Sequence, residues 1–283
     1  MSFQNTYTQA LKDAASRAEA LPAFNIFNQQ SLRGIASAAQ KSSRPVILQL
    51  STGVVKRIGP MPLFAMIDAE MKQRDIPLHL HLDHCKDLEL AMVCADSGWN
   101  SVMVDFSHLS LTENIEKTKL IVAYAHERGV AVEGEVGVIA GVEDDIASDV
   151  QKLATFEDTM HYIEQTGVDS VAPACGTAHG TYKSEPCLNY NLIKQLSEAT
   201  ETALVLHGGT GLSDEQFRDM IDSGISKINL STILKETWVT ALTDHLPRHN
   251  VSSPMDIDIA CETAFCDTAL AFIQLFSNKG RGK

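Results

Sequence analysis

Short apolar or β-branched runs recur along the chain: AFNIF (23–27), PVILQL (45–50), PLHLHLD (77–83), SVMVD (101–105), VAVEGEV (130–136), SVAPA (170–174), ALVLHG (203–208) and KINLS (227–231). Between them the apolar residues return at helical spacing. Leu88, Ala91, Met92 and Ala95 keep an i, i+3, i+4, i+7 stripe. Phe156, Met160 and Ile163 form another stripe, opened by Thr155 as N-cap and closed by Gly167. Ser213 with Gln216 reads as a capping box before Phe217, Met220 and Ile221, with Gly224 as the stop. Gly129 closes a helix that begins near Thr112. Strands alternating with helices in this way predict an α/β fold, a (β/α)8 TIM barrel. A doubly wound open sheet fits less well, because no G-x-G-x-x-G follows the first strand. Residues 1–20 predict an extra N-terminal helix, and residues beyond 233 predict C-terminal helices. No linker-like composition divides the chain, so 1–283 reads as a single domain.

The third run breaks the rule that barrel strands are apolar. In HLHLDHC, Leu alternates with His79, His81 and Asp83, and His84 follows directly. Catalytic residues of such barrels come from the C-terminal ends of strands, and polar residues collect there in this chain. Strand three ends in Asp83 and His84, strand four in Asp105, and strand five carries Glu133 and Glu135. Strand six leads into GTAHG with His179, strand seven ends in His207 before GGTG, and strand eight ends in Asn229, Leu230, Ser231 and Thr232. Histidines at the tops of strands three, six and seven can converge on one ion, and zinc takes neutral imidazole nitrogen. Each histidine alone is better explained as a hydrogen-bonded core or surface residue, and only the three together make a shared ion an equal reading. His79 and His81 are read as packing residues, and His108, His126, His161, His245 and His249 as surface residues. Glu133 and Glu135 share a strand face, which suits metal, cation or proton work, or the satisfaction of backbone donors. The GGTG run (208–211), with Ser231 and Thr232, suits a backbone-amide cradle for phosphate. Lys227 lies at the beginning of its predicted strand and is read as structural.

Composition narrows the partners. A net charge of −13 with no basic block argues against nucleic acid. No apolar run is long enough to span a membrane, and the N-terminus lacks a signal-peptide pattern. The cysteines form no C-x-x-C pair, which excludes a zinc ribbon or thioredoxin motif. A reduced, cytoplasmic protein is the expectation.

The stretches PAFN (22–25), HLDH (81–84), SVMVDFSHL (101–109), VEGEVGVIAGVEDD (132–145), GTAHGTY (176–182), LVLHGGTGL (204–212) and KINLST (227–232) together resemble the class II, zinc-dependent ketose-bisphosphate aldolases. The resemblance is to the shorter branch, which holds fructose- and tagatose-bisphosphate aldolases. It implies that His84, His179 and His207 bind a catalytic zinc ion (Zn2+), with Asp105 and Glu135 at a second or displaced metal position. It implies Asp83 as the acid/base at the aldehyde oxygen and Glu143 as the residue that moves a proton at the nucleophilic carbon. Asn25, Ser51, Gly180, Gly208, Gly209, Thr210, Asn229, Leu230, Ser231 and Thr232 are then expected on a substrate bearing a dihydroxyacetone phosphate moiety. A monovalent cation (Na+ or K+) near that phosphate, and a homodimer or homotetramer, are further expectations, with Ala264 to Phe276 as a plausible contact. The implied reaction is reversible cleavage of a phosphorylated sugar to dihydroxyacetone phosphate and an aldehyde, with zinc as Lewis acid.

Two departures bear on the aldehyde. Phe106 stands where the family has a small residue, and Glu262 stands where it has an Arg or Lys for the aldehyde's phosphate. A carboxylate repels a phosphate dianion, so an unphosphorylated aldehyde is an equal expectation unless Lys56, Arg57 or Arg248 compensates. Other functions fit less well. An amidohydrolase-type zinc barrel would carry H-x-H on its first strand and Asp on its last, where this chain has Asn25 and Asn229. A non-catalytic or stabilising subunit would have lost Asp83 or a zinc histidine.

Overall fold

Each of the apolar runs becomes one stave of a closed barrel. The computed structural model describes residues 6–143, 146–148, 151–180, 185–246 and 253–277. In chain order the elements are α1 (Thr6–Ser16), β1 (Leu21–Asn25), α2 (Gln29–Ser42), β2 (Val46–Ser51), α3 (Thr52–Ile58), α4 (Pro60–Arg74) and β3 (Leu78–Cys85). Then come α5 (Leu88–Asp96), β4 (Ser101–Val104), α6 (Leu111–His126), β5 (Ala131–Val136), β6 (Ala140–Glu143), β7 (Ile146–Ser148), α7 (Phe156–Thr166) and β8 (Ser170–Pro173). The last are β9 (Ala178–His179), α8 (Tyr190–Ala199), β10 (Ala203–Leu206), α9 (Asp214–Ser223), β11 (Ile225–Leu230), α10 (Thr232–His245) and α11 (Pro254–Leu275). The barrel runs β1-β11-β10-β8-β5-β4-β3-β2 and closes on itself. No described helix is long and apolar enough to cross a membrane.

Alternation along each strand separates two environments. Outward residues such as Leu48, Leu50, Leu78, Leu80, Leu82, Val102, Val132 and Leu204 pack into one apolar layer with the helices. Near the strand beginnings, Leu21, Ala23, Ile47, Ala131 and Ala203 meet the buried Tyr7, Leu11 and Ala14 of α1. The extra helix therefore plugs the N-terminal end of the barrel. That leaves the polar inward residues further up the strands facing one another.

The predicted caps form. Thr155 accepts from Asp158 N, and Ser213 and Gln216 make a reciprocal capping box. The first strand begins two residues earlier than its apolar run implied, at Leu21. The helix expected to close at Gly129 ends at His126. A second sheet, β7-β6-β9, was not legible as strand, because its members are short and pair across distant sequence.

Candidate active site

Adjacent strand residues normally point to opposite faces, yet Asp83 and His84 both enter the site. Between Leu82 and Cys85 the pairing of β3 with β4 slips, and His84 takes a left-handed φ of 46°. This bulge turns His84 inward beside Asp83. A non-glycine residue held there is strained, and such strain gathers at functional positions.

The imidazoles of His84, His179 and His207 converge from β3, β9 and the top of β10. Their ring centroids lie 5.0 Å (84–179), 4.5 Å (84–207) and 6.3 Å (179–207) apart. One ligand atom from each lies within 4.8 Å of the others, and His84, Asp105 and Glu135 form a second such group. His84 Nδ1 contacts Asp105 Oδ2 at 3.3 Å, and Asp105 Oδ1 accepts from Ser107 N and Oγ at 3.1 and 2.7 Å. Glu135 Oε2 lies 3.8 Å from His84 Nδ1 and 3.3 Å from His207 Nδ1.

The electrostatics of this cluster call for a positive charge. Burial disfavours a protonated His84, but the carboxylates of Asp83, Asp105 and Glu135 outweigh it and raise its pKa to about 10. Burial likewise opposes the charge on Asp105, yet the His84 bond and charge and the Ser107 donors carry it below the usual carboxylate range. His84 Nε2, His207 Nδ1 and Glu135 Oε2 are buried and make no hydrogen bond among the described residues. Nitrogen and oxygen donors around one point, facing inward from a carboxylate-rich wall, fit zinc. Cys85, next to His84, donates its thiol to Asp87 O at 3.1 Å and stays outside the donor set.

Three carboxamides hold Asp83. Asn25 Nδ2 and Gln49 Nε2 donate to Oδ2 at 3.0 and 3.3 Å, and Asn229 Nδ2 donates to Oδ1 at 3.3 Å. Gln49 also donates to Asn25 Oδ1. Sequence reasoning missed Gln49. Its signal was a polar residue on the inward side of an otherwise apolar run, one pleat before Ser51. Ser107 was missed for a simpler reason: it acts only by tying down Asp105.

The loops after β10 and β11 meet as expected for an anion cradle. Gly208 has φ 69°, and a Cβ there would lie 2.4 Å from Ala178 O. Ser231 is the N-cap of α10 but spends no side-chain bond on the cap, and its buried Oγ has no hydrogen bond among the described residues. Gly209 is buried, Gly180, Thr210 and Thr232 are half-buried at the same rim, and Ser51 is half-buried at the end of β2. Leu230 belongs to the outer apolar layer, so only its backbone faces the cradle.

Other expected residues fall elsewhere. Glu133 shares the inward face with Glu135 but is held by Lys227, with Nζ–Oε2 of 2.8 Å. Lys227 lies inside β11, not at its beginning, because the strand starts at Ile225. Both oxygens of Glu133 accept from its amine, which engages this lysine in a buried ion pair. Phe106 is buried in the outer apolar layer with Lys117 Nζ 5.4 Å from its ring centroid, so its bulk packs among helices. Glu262 pairs with Arg33 at 3.4 Å where α11 lies on α2. Lys56 pairs with Asp87 at 3.3 Å and Arg57 is exposed, while Arg248 lies outside the described residues. Glu143 ends β6, with its side chain outside the described residues.

Comparisons with known proteins bear on the family and the fold. Residues 5–281 match the family described as fructose-bisphosphate aldolase class-II. The chain is 37% identical over 234 residues to the sulfofructosephosphate aldolase of Alkalicoccus urumqiensis, covering 82% of each. It is 34% identical over 277 residues to the fructose-bisphosphate aldolase of Geobacillus stearothermophilus, covering 96% of each. The crystal structure of the YdjI aldolase from Escherichia coli K12 superposes with a TM-score of 0.86 at 30% identity, covering 98% of both chains. With barrel, motif order and nearly full-length similarity in agreement, the chain belongs to the class-II fructose-bisphosphate aldolase family and is an aldolase, a carbon–carbon lyase.

Proposed function

We propose that the chain catalyses the reversible cleavage of a ketose phosphate to dihydroxyacetone phosphate and an aldehyde, with zinc held by His84, His179 and His207. The observation that carries this reading is the convergence of these rings, with buried His84 Nε2 and His207 Nδ1 making no hydrogen bond among the described residues. When bound, zinc supplies Lewis acidity that stabilises the negative charge left on the ketone fragment as the carbon–carbon bond breaks. Asp105 and Glu135 form the flanking position for a second or displaced ion.

Asp83 exchanges the proton of the aldehyde oxygen. Its carboxamide partners from β1, β2 and β11 fix it beside His84, and a positioned carboxylate is suited to that transfer. Glu143, at the end of the hairpin strand β6, handles the proton at the nucleophilic carbon. Gly180, Gly208 to Thr210 and Asn229 to Thr232 bind the phosphate, with Ser231 Oγ as one donor, Na+ or K+ as a local counter-ion, and Asn25 and Ser51 contacting the sugar. Holding the phosphate fixes the scissile bond relative to Asp83. The chain acts as one barrel domain and assembles as a homodimer or homotetramer.

The names of the relatives frame the aldehyde question. One is a sulfofructosephosphate aldolase and the other a fructose-bisphosphate aldolase. Glu262 lies against Arg33, and Lys56 is engaged with Asp87. This supports a substrate whose aldehyde half carries no phosphate. Cleavage of fructose 1,6-bisphosphate, tagatose 1,6-bisphosphate, sulfofructose phosphate and simple ketose 1-phosphates should be compared, with and without a chelator. A preference for either bisphosphate by ~100-fold in kcat/KM, about 2.7 kcal/mol of barrier, would refute the unphosphorylated half of the reading. No chelator-sensitive cleavage of any of them would refute the whole.

A further inference from the structure

Below the histidine cluster lies a second polar group that the proposed reaction does not use. Glu133 is fully buried, and its Oε1 accepts from His207 Nε2 at 3.0 Å. Fully buried Lys227 donates to both its oxygens, at 3.0 and 2.8 Å, and Ser170 Oγ donates to Oε2 at 3.2 Å. Lys227 Nζ also lies 3.3 Å from His81 Nε2, and His81 Nδ1 lies 3.0 Å from Ser101 Oγ. Tyr7, from the helix that plugs the barrel, stacks on His81 with centroids 5.9 Å apart and planes 4° from parallel. The side chains of one floor of the barrel thus tie helix α1 to strands β3, β4, β5, β8 and β11, and through Glu133 to His207.

We infer that Glu133, clamped by Lys227, is a positioning residue that fixes which nitrogen of His207 faces the metal. Glu133 accepts a hydrogen bond from Nε2–H, so the neutral ring keeps its lone pair on Nδ1, the atom that lies 3.3 Å from Glu135 Oε2. Lys227 has a separate part. It holds the Glu133 carboxylate down and in one orientation, so that this group orients a ligand and does not become one. Lys227 is therefore a positioning residue at one remove, not an amine nucleophile. His81 and Tyr7 close the floor beneath it.

The inference rests on the zinc reading above, and the test separates the two. The chain and its Glu133→Gln, Lys227→Met and double variants should be stripped of metal and titrated with zinc against a chromophoric chelator. Each single variant is expected to lose ~10–100-fold in zinc affinity. The double variant is expected to lose no more than the weaker single one, since the two residues act as one unit. Histidine-edited nitrogen NMR of the stripped parent should show His207 protonated on Nε2, and the Glu133→Gln spectrum should show a tautomer mixture. If Lys227→Met does not fold, Glu133→Gln and the double variant, which leaves no unpaired charge, carry the test. Affinities within about twofold of the parent in folded variants, with an unchanged tautomer, would overturn the inference alone. A parent that takes up no zinc would overturn the zinc reading and the inference with it.

Discussion

The lower and upper floors of this barrel interior are built from the same side chains, buried carboxylates and imidazoles, and they differ in how the groups at their centres are paired, although His79 Nδ1 below is also without a hydrogen bond among the described residues. Below, Glu133 is bonded to His207, Lys227 and Ser170, and His81 is fixed by Ser101 and Lys227. Above, His84 Nε2, His207 Nδ1, Glu135 Oε2 and Ser231 Oγ are buried without a hydrogen bond among the described residues. Native proteins rarely leave buried polar atoms in that state, because each costs on the order of 1–3 kcal/mol. The Glu133 network therefore holds side chains in place, and the upper group is the one proposed to bind. His207 belongs to both, with one nitrogen in each.

That contrast can be broken from the top. His84→Ala should abolish tight zinc uptake and lower kcat/KM by ~10^3 or more, since a Lewis acid is worth several kcal/mol. Near-parental turnover in a metal-free variant would contradict it. Asp83→Asn should lower kcat by ~10^2–10^4 through lost proton transfer while leaving zinc affinity intact. A matching loss of affinity would instead make Asp83 part of the metal site.

Smaller changes sharpen the comparison. Gly141 has φ 114° and pairs with His179, and a Cβ there would stand 2.2 Å from His179 O. The strand leading to Glu143 is thus seated on the strand of His179. Gly141→Ala should displace one from the other, at a cost of ~1–3 kcal/mol in stability or turnover, measured by thermal unfolding and by kcat. The smallest effect should come from outside the barrel. His126, half-exposed, meets Asp169 at 2.8 Å, and this bond raises its pKa above the ordinary 6.5 despite partial burial. A raised folded-state pKa stabilises the protein below pH 6.5 and loses that effect as pH rises through the folded value. Because solvent screens the pair, His126→Asn should cost at most about 1 kcal/mol in acid and nothing in alkali. An alkaline loss would mean that the ring packs without relying on its charge.

The barrel was legible because outward Leu, Val, Ile or Phe mark every stave, and Leu78, Leu80 and Leu82 do so even where the inward residues are His79, His81 and Asp83. The histidine cluster was legible because His84 and His207 stand at strand tops and His179 follows the sixth stave in GTAHG. Two things were not. The sheet β7-β6-β9 depends on Gly141 meeting His179, a contact between distant segments that leaves no local period. The role of Glu133 depends on which buried partner it meets, and Lys227 lies 94 residues away. Sequence could show that Glu133 and Glu135 share a face, but not that one points into a closed network and the other into the cluster.

The most direct test of the account is metal reconstitution of the purified chain. Chelation should remove cleavage of the best ketose phosphate, and titration with zinc should restore it in proportion to ion bound, with X-ray absorption showing histidine nitrogen and no sulfur around the metal. Full activity in rigorously metal-free protein, or a thiolate-rich shell, would contradict it.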